Sequence, residues 1–119
     1  MTKPVRRFDV VLVDFGVEKI KGEQAGVRPA IVVQNDIGNI HSPTTIVIPL
    51  TKNIKKLSQP THTLIAKDEK NGLSCDSVML AEAIRQVSKG RIKGILGSIT
   101  RDNVKMEIKE ALYANFMEV

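Results

Sequence analysis

Short apolar runs rich in β-branched residues recur along most of the chain and are typical of β-strands. In the first half they occupy residues 8–14 (FDVVLVD), 30–34 (AIVVQ) and 44–51 (TTIVIPLT). Residues 35–43 (NDIGNIHSP) are rich in Asn, Asp, Gly, Ser and Pro, which favour turns. The first half therefore predicts three strands, with a turn before the third.

The second half continues this pattern and then changes period. Residues 61–65 (THTLI) and 76–81 (DSVMLA) predict two more strands, and residues 83–92 (AIRQVSKGRI) predict a further strand pair. Between residues 101 and 116, apolar side chains recur at the spacing of one helical face: Val104, Ile108, Ala111, Leu112 and Phe116. Thr100 is the expected N-cap of this helix, with Asp102 in its first turn.

These elements predict a mainly β fold with a C-terminal α-helix, in which a small, strongly bent antiparallel sheet or barrel carries the helix. A length of 119 residues with 42% hydrophobic composition suits one domain over residues 1–119. No apolar run approaches the roughly 20 residues of a membrane span, and the N-terminus lacks the apolar stretch of a signal peptide. We therefore expect a cytoplasmic protein.

Composition narrows the class of partner. Eighteen Lys and Arg against thirteen Asp and Glu give a net charge of +5, which favours a polyanionic or acidic partner. Aromatic residues make up only 3% of the chain, so nucleic acid would be bound by charge and hydrogen bonds rather than by aromatic stacking. A single cysteine, Cys75, and two distant histidines provide neither an internal disulfide nor a zinc site.

The common catalytic motifs do not occur in this sequence. It has no serine nucleophile elbow, no recognised glycine-rich phosphate loop, no HExxH and no obvious carboxylate cluster, so metal-assisted hydrolysis is disfavoured and no cofactor is expected. The remaining candidates are polar side chains near predicted strand ends: Glu23, Gln24, Arg28, Asn35, His41, Ser42, Thr44, Thr51, Glu82 and Arg85.

Arg28 stands out because it follows two glycines, precedes a proline and lies where the chain enters a predicted strand (GEQAGVRP, residues 22–29). Its planar guanidinium suits phosphate oxygens, and Thr51 ends the strand that leads into the basic segment KNIKK. The pair could hold a phosphodiester. Alternatively, Arg28 closes a surface salt bridge with Glu23, and Thr51 merely caps its strand.

Several segments together resemble the MazF/PemK family of toxins: FDVVLVDFG, KGEQAGVRPAIVVQND, SPTTIVIPLT, PTHTLI and DSVMLAEAIRQV, followed by the closing helix. The resemblance covers nearly the whole chain. Its most specific part is the pattern EQxGxRPxxV, matched from Glu23 to Val32, together with the strand that ends at Thr51. It implies a sequence-specific, metal-independent endoribonuclease on an SH3-like barrel, active as a homodimer and silenced by an acidic, MazE-like antitoxin.

The resemblance also implies roles for individual residues. It places the active-site arginine at Arg28, the threonine at Thr51 and the acidic residue at Glu23. The implied reaction is attack of a ribose 2′-hydroxyl on the adjacent phosphorus, leaving 2′,3′-cyclic phosphate and 5′-hydroxyl ends. Glu23 could accept a proton or orient Arg28. His41 is expected to be an exposed loop residue, and His62 a structural one.

Substrate contacts are predicted more broadly. Lys52, Lys55 and Lys56 could follow the RNA backbone or form a solvated loop. Polar side chains able to bind unstacked bases or phosphates are Gln24, Asn35, Ser42, Thr44, Glu82 and Arg85. Relatives often carry Gln directly after the acid aligned with Glu82, whereas this chain has Ala83. This difference leaves the base preference at that position open.

Two other functions remain compatible with the sequence. A CcdB-like toxin would have the same barrel but bind DNA gyrase through a tryptophan-containing C-terminal tail. This chain has no tryptophan and ends in NFMEV, so the retained Arg28 and Thr51 favour the nuclease. The other alternative is a small nucleic-acid-binding module or an inactive relative.

Overall fold

The computed structural model describes residues 4–17, 25–54 and 59–117. These residues form seven strands: β1 (Asp9–Asp14), β2 (Val27–Val32), β3 (Thr44–Thr51), β4 (His62–Ile65), β5 (Ser77–Leu80), β6 (Arg85–Ser88) and β7 (Ile92–Ser98). They also form two α-helices, α1 (Asp36–His41) and α2 (Asp102–Phe116). The predicted mainly β fold with a C-terminal helix is confirmed.

Strand β3 is the centre of the sheet. The strand order is β4-β5-β3-β2-β1-β7, with β6 also paired to β3, and every pairing is antiparallel. One edge of β3 pairs with β2 from Val47 to Pro49. The other edge pairs with β6 from Thr44 to Val47 and with β5 at Leu50 and Thr51. Two short strands therefore lie end to end along one edge of β3.

Alternate residues of β1, β2 and β3 enter two different apolar clusters, as the period-2 geometry of a strand requires. The first cluster includes Val10, Ile31 and Ile48 and extends to Ile108 of α2. The second includes their neighbours Val11, Val32 and Val47, together with Val87 of β6. Both faces of these strands are buried, which explains why the sequence shows continuous apolar runs rather than an alternating pattern.

Helix α2 begins one residue later than predicted. Its N-cap is Arg101, which makes no side-chain capping hydrogen bond, so the prediction that Thr100 is the cap is wrong. Thr100 lies one residue outside the cap position, where Arg101 has extended backbone angles and its carbonyl accepts from Lys105 N–H at 3.0 Å.

The predicted apolar face of α2 is also one residue too long. Ile108 and Ala111 are buried, but the side chain of Phe116 is 65% exposed. Eight residues separate Phe116 from Ile108, which at about 100° per residue places them about 80° apart around the helix. Asn115, its neighbour, turns inward instead and donates to the Ala81 carbonyl at 3.1 Å.

Residues 36–41, predicted as a turn, form the short helix α1. Asn35 caps it, its side chain accepting from Gly38 N–H at 2.8 Å. Asn39 is buried, and its Oδ1 accepts hydrogen bonds from Gln34 Nε2 and from Thr45 of β3. The partners of Asn39, Gln34 and Thr45, lie outside residues 36–41. The composition of residues 36–41 alone therefore did not indicate a helix.

Two strand predictions need correction as well. Strand β2 begins at Val27 rather than at residue 30, because its ladder with β1 continues until Val27 pairs with Asp14. Residues 83–92 were predicted as a strand pair, but β6 pairs with β3 and β7 pairs with β1. A 3₁₀ turn at Lys89–Arg91 separates them and directs them to different neighbours.

Across the described ranges, no helix combines the length and apolarity needed to cross a membrane.

The central position of β3 predicts a large loss of stability when its core is truncated. Ile48 is fully buried in the first cluster, so Ile48→Ala should reduce the free energy of unfolding by about 2–5 kcal/mol. The measurement is urea denaturation followed by circular dichroism. The matched control is Ile37→Ala, whose side chain is 75% exposed and which should change stability by no more than about 0.5 kcal/mol. Equal effects of the two substitutions would contradict the observed core.

Candidate active site

A cavity of about 570 Å³ lies where the end of β3 meets the start of β2. Its lining comes from β2 and the end of β3 with the two residues that follow it, and from the loop before β5 with Leu96 of β7. The lining residues are Leu12, Val27, Arg28, Pro29, Leu50, Thr51, Lys52, Asn53, Gly72, Leu73, Ser74, Ser77 and Leu96. Arg28 and Thr51, which were singled out from the sequence, therefore border the same space.

Arg28 reaches this cavity because of the backbone that precedes it. Gly26 has φ +75°, a conformation that most other residues adopt only with strain. Its N–H donates to the Gly16 carbonyl at 2.7 Å and its carbonyl accepts from Phe15 N–H at 2.9 Å, which joins the start of β2 to the end of β1. Arg28 is half-buried, and its Nε donates to the Ala25 carbonyl at 2.9 Å. This hydrogen bond limits the orientations open to the guanidinium.

Thr51 is the last residue of β3 and pairs with Val78 of β5. Its side chain is half-buried, and its Oγ1 accepts from Asn53 N–H at 3.3 Å. Lys52, which follows, is exposed and also lines the cavity. The strand end thus presents a hydroxyl and an ammonium group to the space that Arg28 borders, an arrangement suited to an anionic ligand.

The opposite wall is a loop held by the side chain of Asn71, which is only 1% exposed. Its Oδ1 accepts from Asp68 N–H at 3.2 Å and from Leu73 N–H at 3.0 Å, and its Nδ2 donates to the Ala66 carbonyl at 2.9 Å. Both polar atoms of this side chain therefore form hydrogen bonds within the loop. These hydrogen bonds fix the conformation of the loop that forms this wall.

Asp68 strengthens the same turn. Its Oδ1 accepts from the backbone N–H groups of Lys70 and Asn71, both at 2.8 Å. Hydrogen bonds from the Asn71 and Lys70 backbone lower the pKa of this carboxyl below its ordinary range. The carboxylate form is therefore the one that organises the turn.

Two glycines allow this loop to touch β7. A Cβ on Gly72, whose φ is +70°, would lie 2.1 Å from the Leu96 carbonyl oxygen. A Cβ on Gly97 would lie 2.1 Å from the Lys70 carbonyl oxygen, which accepts from Ser98 N–H at 2.9 Å. Backbone thus packs against backbone at both points. Sequence reasoning missed this wall, although the Asn71-Gly72 pair is a turn signal.

Other residues predicted to bind substrate lie away from the cavity lining. Thr44 is at the far end of β3. Its hydroxyl lies 2.9 Å from the Ser42 hydroxyl and accepts a hydrogen bond from Gln86 Nε2 at 3.0 Å. Asn35 caps α1, and the guanidinium of Arg85 lies 5.4 Å from the ring centroid of Phe15.

Glu82 forms a separate polar cluster with His62 and Thr61. One oxygen of its carboxylate lies 2.7 Å from His62 Nε2, and the other accepts from Thr61 Oγ1 at 3.0 Å. Burial opposes the charged form, but hydrogen bonds from His62, the backbone and Thr61 outweigh it and lower the pKa of Glu82. His41 ends α1 and is exposed. Neither histidine lines the cavity.

Glu23, Gln24, Lys55 and Lys56 lie outside the described residues. Within residues 4–17, 25–54 and 59–117, no group of three or more His, Cys, Asp or Glu side chains is arranged to hold a metal ion.

Comparison with known proteins identifies the class to which this fold and cavity belong. Residues 6–116 match the family described as PemK-like, MazF-like toxins of type II toxin–antitoxin systems. The chain is 43% identical over 109 residues to the endoribonuclease MazF of Staphylococcus epidermidis, spanning 91% of this chain and 88% of that protein. The chain therefore belongs to the PemK-like, MazF-like toxin family.

Solved structures agree with this fold. A MazF from Deinococcus radiodurans superposes with a TM-score of 0.75 at 20% identity, covering 94% of this chain and 96% of that one. An endoribonuclease from a mycobacterial species, solved with its cognate antitoxin, gives a TM-score of 0.74 at 22% identity, covering 93% of each chain. The fold is thus shared although most residues differ.

The close contact at Gly72 predicts that a single methyl group will disrupt the cavity wall. Gly72→Ala should reduce the free energy of unfolding by about 3 kcal/mol or more, because left-handed backbone strain adds to overlap with the Leu96 carbonyl. Thermal and urea denaturation would measure this. Gly94→Ala is the matched control, because Gly94 lies within β7 and a Cβ there meets nothing within 4 Å. A Gly72→Ala protein as stable as Gly94→Ala would refute the close approach.

Proposed function

We propose that this protein is an endoribonuclease toxin that cleaves single-stranded RNA at a specific sequence without a metal ion. The observation that carries this proposal is the meeting of Arg28 and Thr51 at one cavity, within a chain that is 43% identical to an endoribonuclease MazF. The CcdB-like alternative is disfavoured, because the chain belongs to the MazF-like family and has no tryptophan.

The reaction we assign to this cavity is an internal transesterification. The ribose O2′ forms a bond to the adjacent phosphorus, the bond from phosphorus to O5′ breaks, and a 2′,3′-cyclic phosphate and a 5′-hydroxyl result. The proton of the 2′-hydroxyl passes to a base, and O5′ receives a proton as it leaves. Neither water nor metal takes part in this step.

Arg28 and Thr51 would act on the charge that develops on the non-bridging phosphate oxygens. The guanidinium offers parallel N–H donors, and the Thr51 hydroxyl offers one more from the neighbouring strand β3. Because Arg28 is half-buried and its Nε is bound to the Ala25 carbonyl, little reorganisation is needed when the phosphate arrives. Stabilisation by preorganised donors is the main catalytic contribution we assign to this protein.

Proton transfer requires another group, since arginine is a poor base at neutral pH. The family pattern assigns Glu23 to the site. Two roles suit its carboxylate: accepting the 2′-hydroxyl proton, or holding the guanidinium of Arg28 in its productive orientation.

RNA longer than a dinucleotide would extend beyond the cavity. Lys52 borders it, and Lys55 and Lys56 follow in sequence, so we assign these three to the phosphate backbone. The other substrate contacts that we propose are Gln24, Asn35, Ser42, Thr44, Glu82 and Arg85. Of these, the described residues lie outside the cavity lining and would meet nucleotides further from the cleaved bond.

The proposed activity predicts the effect of removing either group. Arg28→Ala and Thr51→Ala should each reduce turnover about 100- to 1,000-fold, as removal of a preorganised donor does. The assay is cleavage of a long unstructured RNA in EDTA, with the cut ends mapped by sequencing and tested for cyclic phosphate. Wild-type protein should cut at one short motif.

Matched controls are Arg6→Ala and Thr100→Ala, which remove the same side chains from exposed positions outside the cavity lining. Both should cut at the wild-type rate. Cutting that survives Arg28→Ala and Thr51→Ala would refute the assigned roles, and a folded wild type that cuts no RNA would refute the proposed function.

We further propose that the toxin acts in the cytoplasm as a homodimer and is neutralised by a small antitoxin with an acidic, extended segment. The net charge of +5 supports an acidic partner, and a mycobacterial structural relative was solved with its cognate antitoxin. Such a segment would occupy the same basic groove as RNA, by which we mean the cavity together with Lys52, Lys55 and Lys56.

Charge complementarity predicts that antitoxin binding will weaken as salt increases and will exclude RNA. Titration calorimetry at increasing NaCl concentrations should show falling affinity, because a complex between opposite charges is screened by salt. Adding antitoxin should release a labelled, non-cleavable RNA from the toxin. Simultaneous tight binding of both ligands would contradict a shared groove.

A further inference from the structure

The cavity has two walls of different chemistry. One carries the cationic and hydroxyl groups of Arg28, Thr51 and Lys52. The other, formed by residues 72–74 and Leu96, is aliphatic except for the Ser74 hydroxyl. A phosphate accounts for the first wall and leaves the second without an assigned function.

The second wall can discriminate between ligands because it is rigid. Asn71 is buried, and its side-chain hydrogen bonds hold the loop. Gly72 places this loop in direct backbone contact with Leu96. Leu73 is 8% exposed and belongs to the first apolar cluster, so it anchors the loop from the inside. A wall fixed in this way keeps the same shape with and without a ligand.

The shape and chemistry of this wall suit a nucleobase. The cavity of about 570 Å³ falls in the size range of small-molecule sites, so a nucleotide with its phosphate at Arg28 can place its base against the opposite wall. The faces of a base are apolar and its edges are polar. The described lining residues include no aromatic ring, so the faces would pack on aliphatic groups such as Leu96, whose side chain is 39% exposed.

Two serines are among the described residues that line the cavity, and they differ in their freedom to bind a base edge. Ser77 is 4% exposed, and its hydroxyl donates to the Cys75 carbonyl at 3.2 Å. Ser74 is exposed and lies between Leu73 and Cys75 at the cavity lining. Its hydroxyl can donate or accept a hydrogen bond, which is what recognition of an unstacked base requires.

We propose that residues 72–74 and Leu96 form the pocket for the nucleobase next to the scissile phosphate, and that Ser74 determines which base is accepted there. This inference rests on the proposed endoribonuclease function. Leu96 contributes affinity for any base by packing against its face, and Ser74 contributes base specificity by hydrogen bonding to its edge. The sequence preference at this position is therefore separable from the chemistry at Arg28 and Thr51.

The test is cleavage of a randomised RNA pool, with base frequencies counted at each position around the cut. Ser74→Ala should reduce discrimination at one position beside the cut about three- to tenfold, as loss of one net hydrogen bond does, and leave the other positions unchanged. Ser74→Thr keeps a hydroxyl and should retain the wild-type preference. Leu96→Ala should raise KM for all sequences without changing the preferred base.

Matched controls are Leu64→Ala, whose side chain is 40% exposed on β4, and Ser88→Ala on β6. Both should cleave like wild type. If wild-type protein cuts RNA and Ser74→Ala retains every base preference while remaining folded, this inference is overturned and the proposed function stands. If folded wild-type protein cuts no RNA, both are overturned together.

Discussion

Strand β3 hydrogen-bonds to three other strands, and this shared use of one strand determines where the remaining elements lie. Its pairing with β2 on one edge and with β5 and β6 on the other forces the sheet to bend, because two strands must leave the same edge in different directions. The two faces of the sheet carry two apolar clusters, one beneath α2 and one around Val11, Val32 and Val47. The antiparallel pairing of β2 with β3 places the start of β2 and the end of β3 at one cavity.

The candidate active site is consequently built on rigid elements. Arg28 and Thr51 stand on or at the end of core strands, and the facing loop is held by a buried amide and by backbone contacts at Gly72 and Gly97. A phosphodiester is a poor target for covalent catalysis by these residue types, so orientation and charge stabilisation must supply most of the rate. In the proposed reaction both depend on preorganised side chains, and this architecture places Arg28 and Thr51 on fixed strands.

Polar interactions outside the cavity lining hold neighbouring elements of the fold together. Glu82 is engaged by His62 and Thr61, and Asn39 joins α1 to β3 through Thr45. Their residue types are the same as those expected to contact RNA. What distinguishes them from Arg28 and Thr51 is position, since none of them lines the cavity.

The sequence by itself determined the strand at 44–51 to the residue, the existence of most other strands and the closing helix, because apolar periodicity records local burial. The EQxGxRPxxV pattern also identified the family and drew attention to Arg28. Tertiary structure alone decided that β6 and β7 take different partners, that residues 36–41 form a helix, and that Phe116 faces outward. It also decided that Gly72 and Ser74 face Arg28 across one cavity. These features depend on contacts between residues far apart in the chain, and local residue patterns do not encode such contacts.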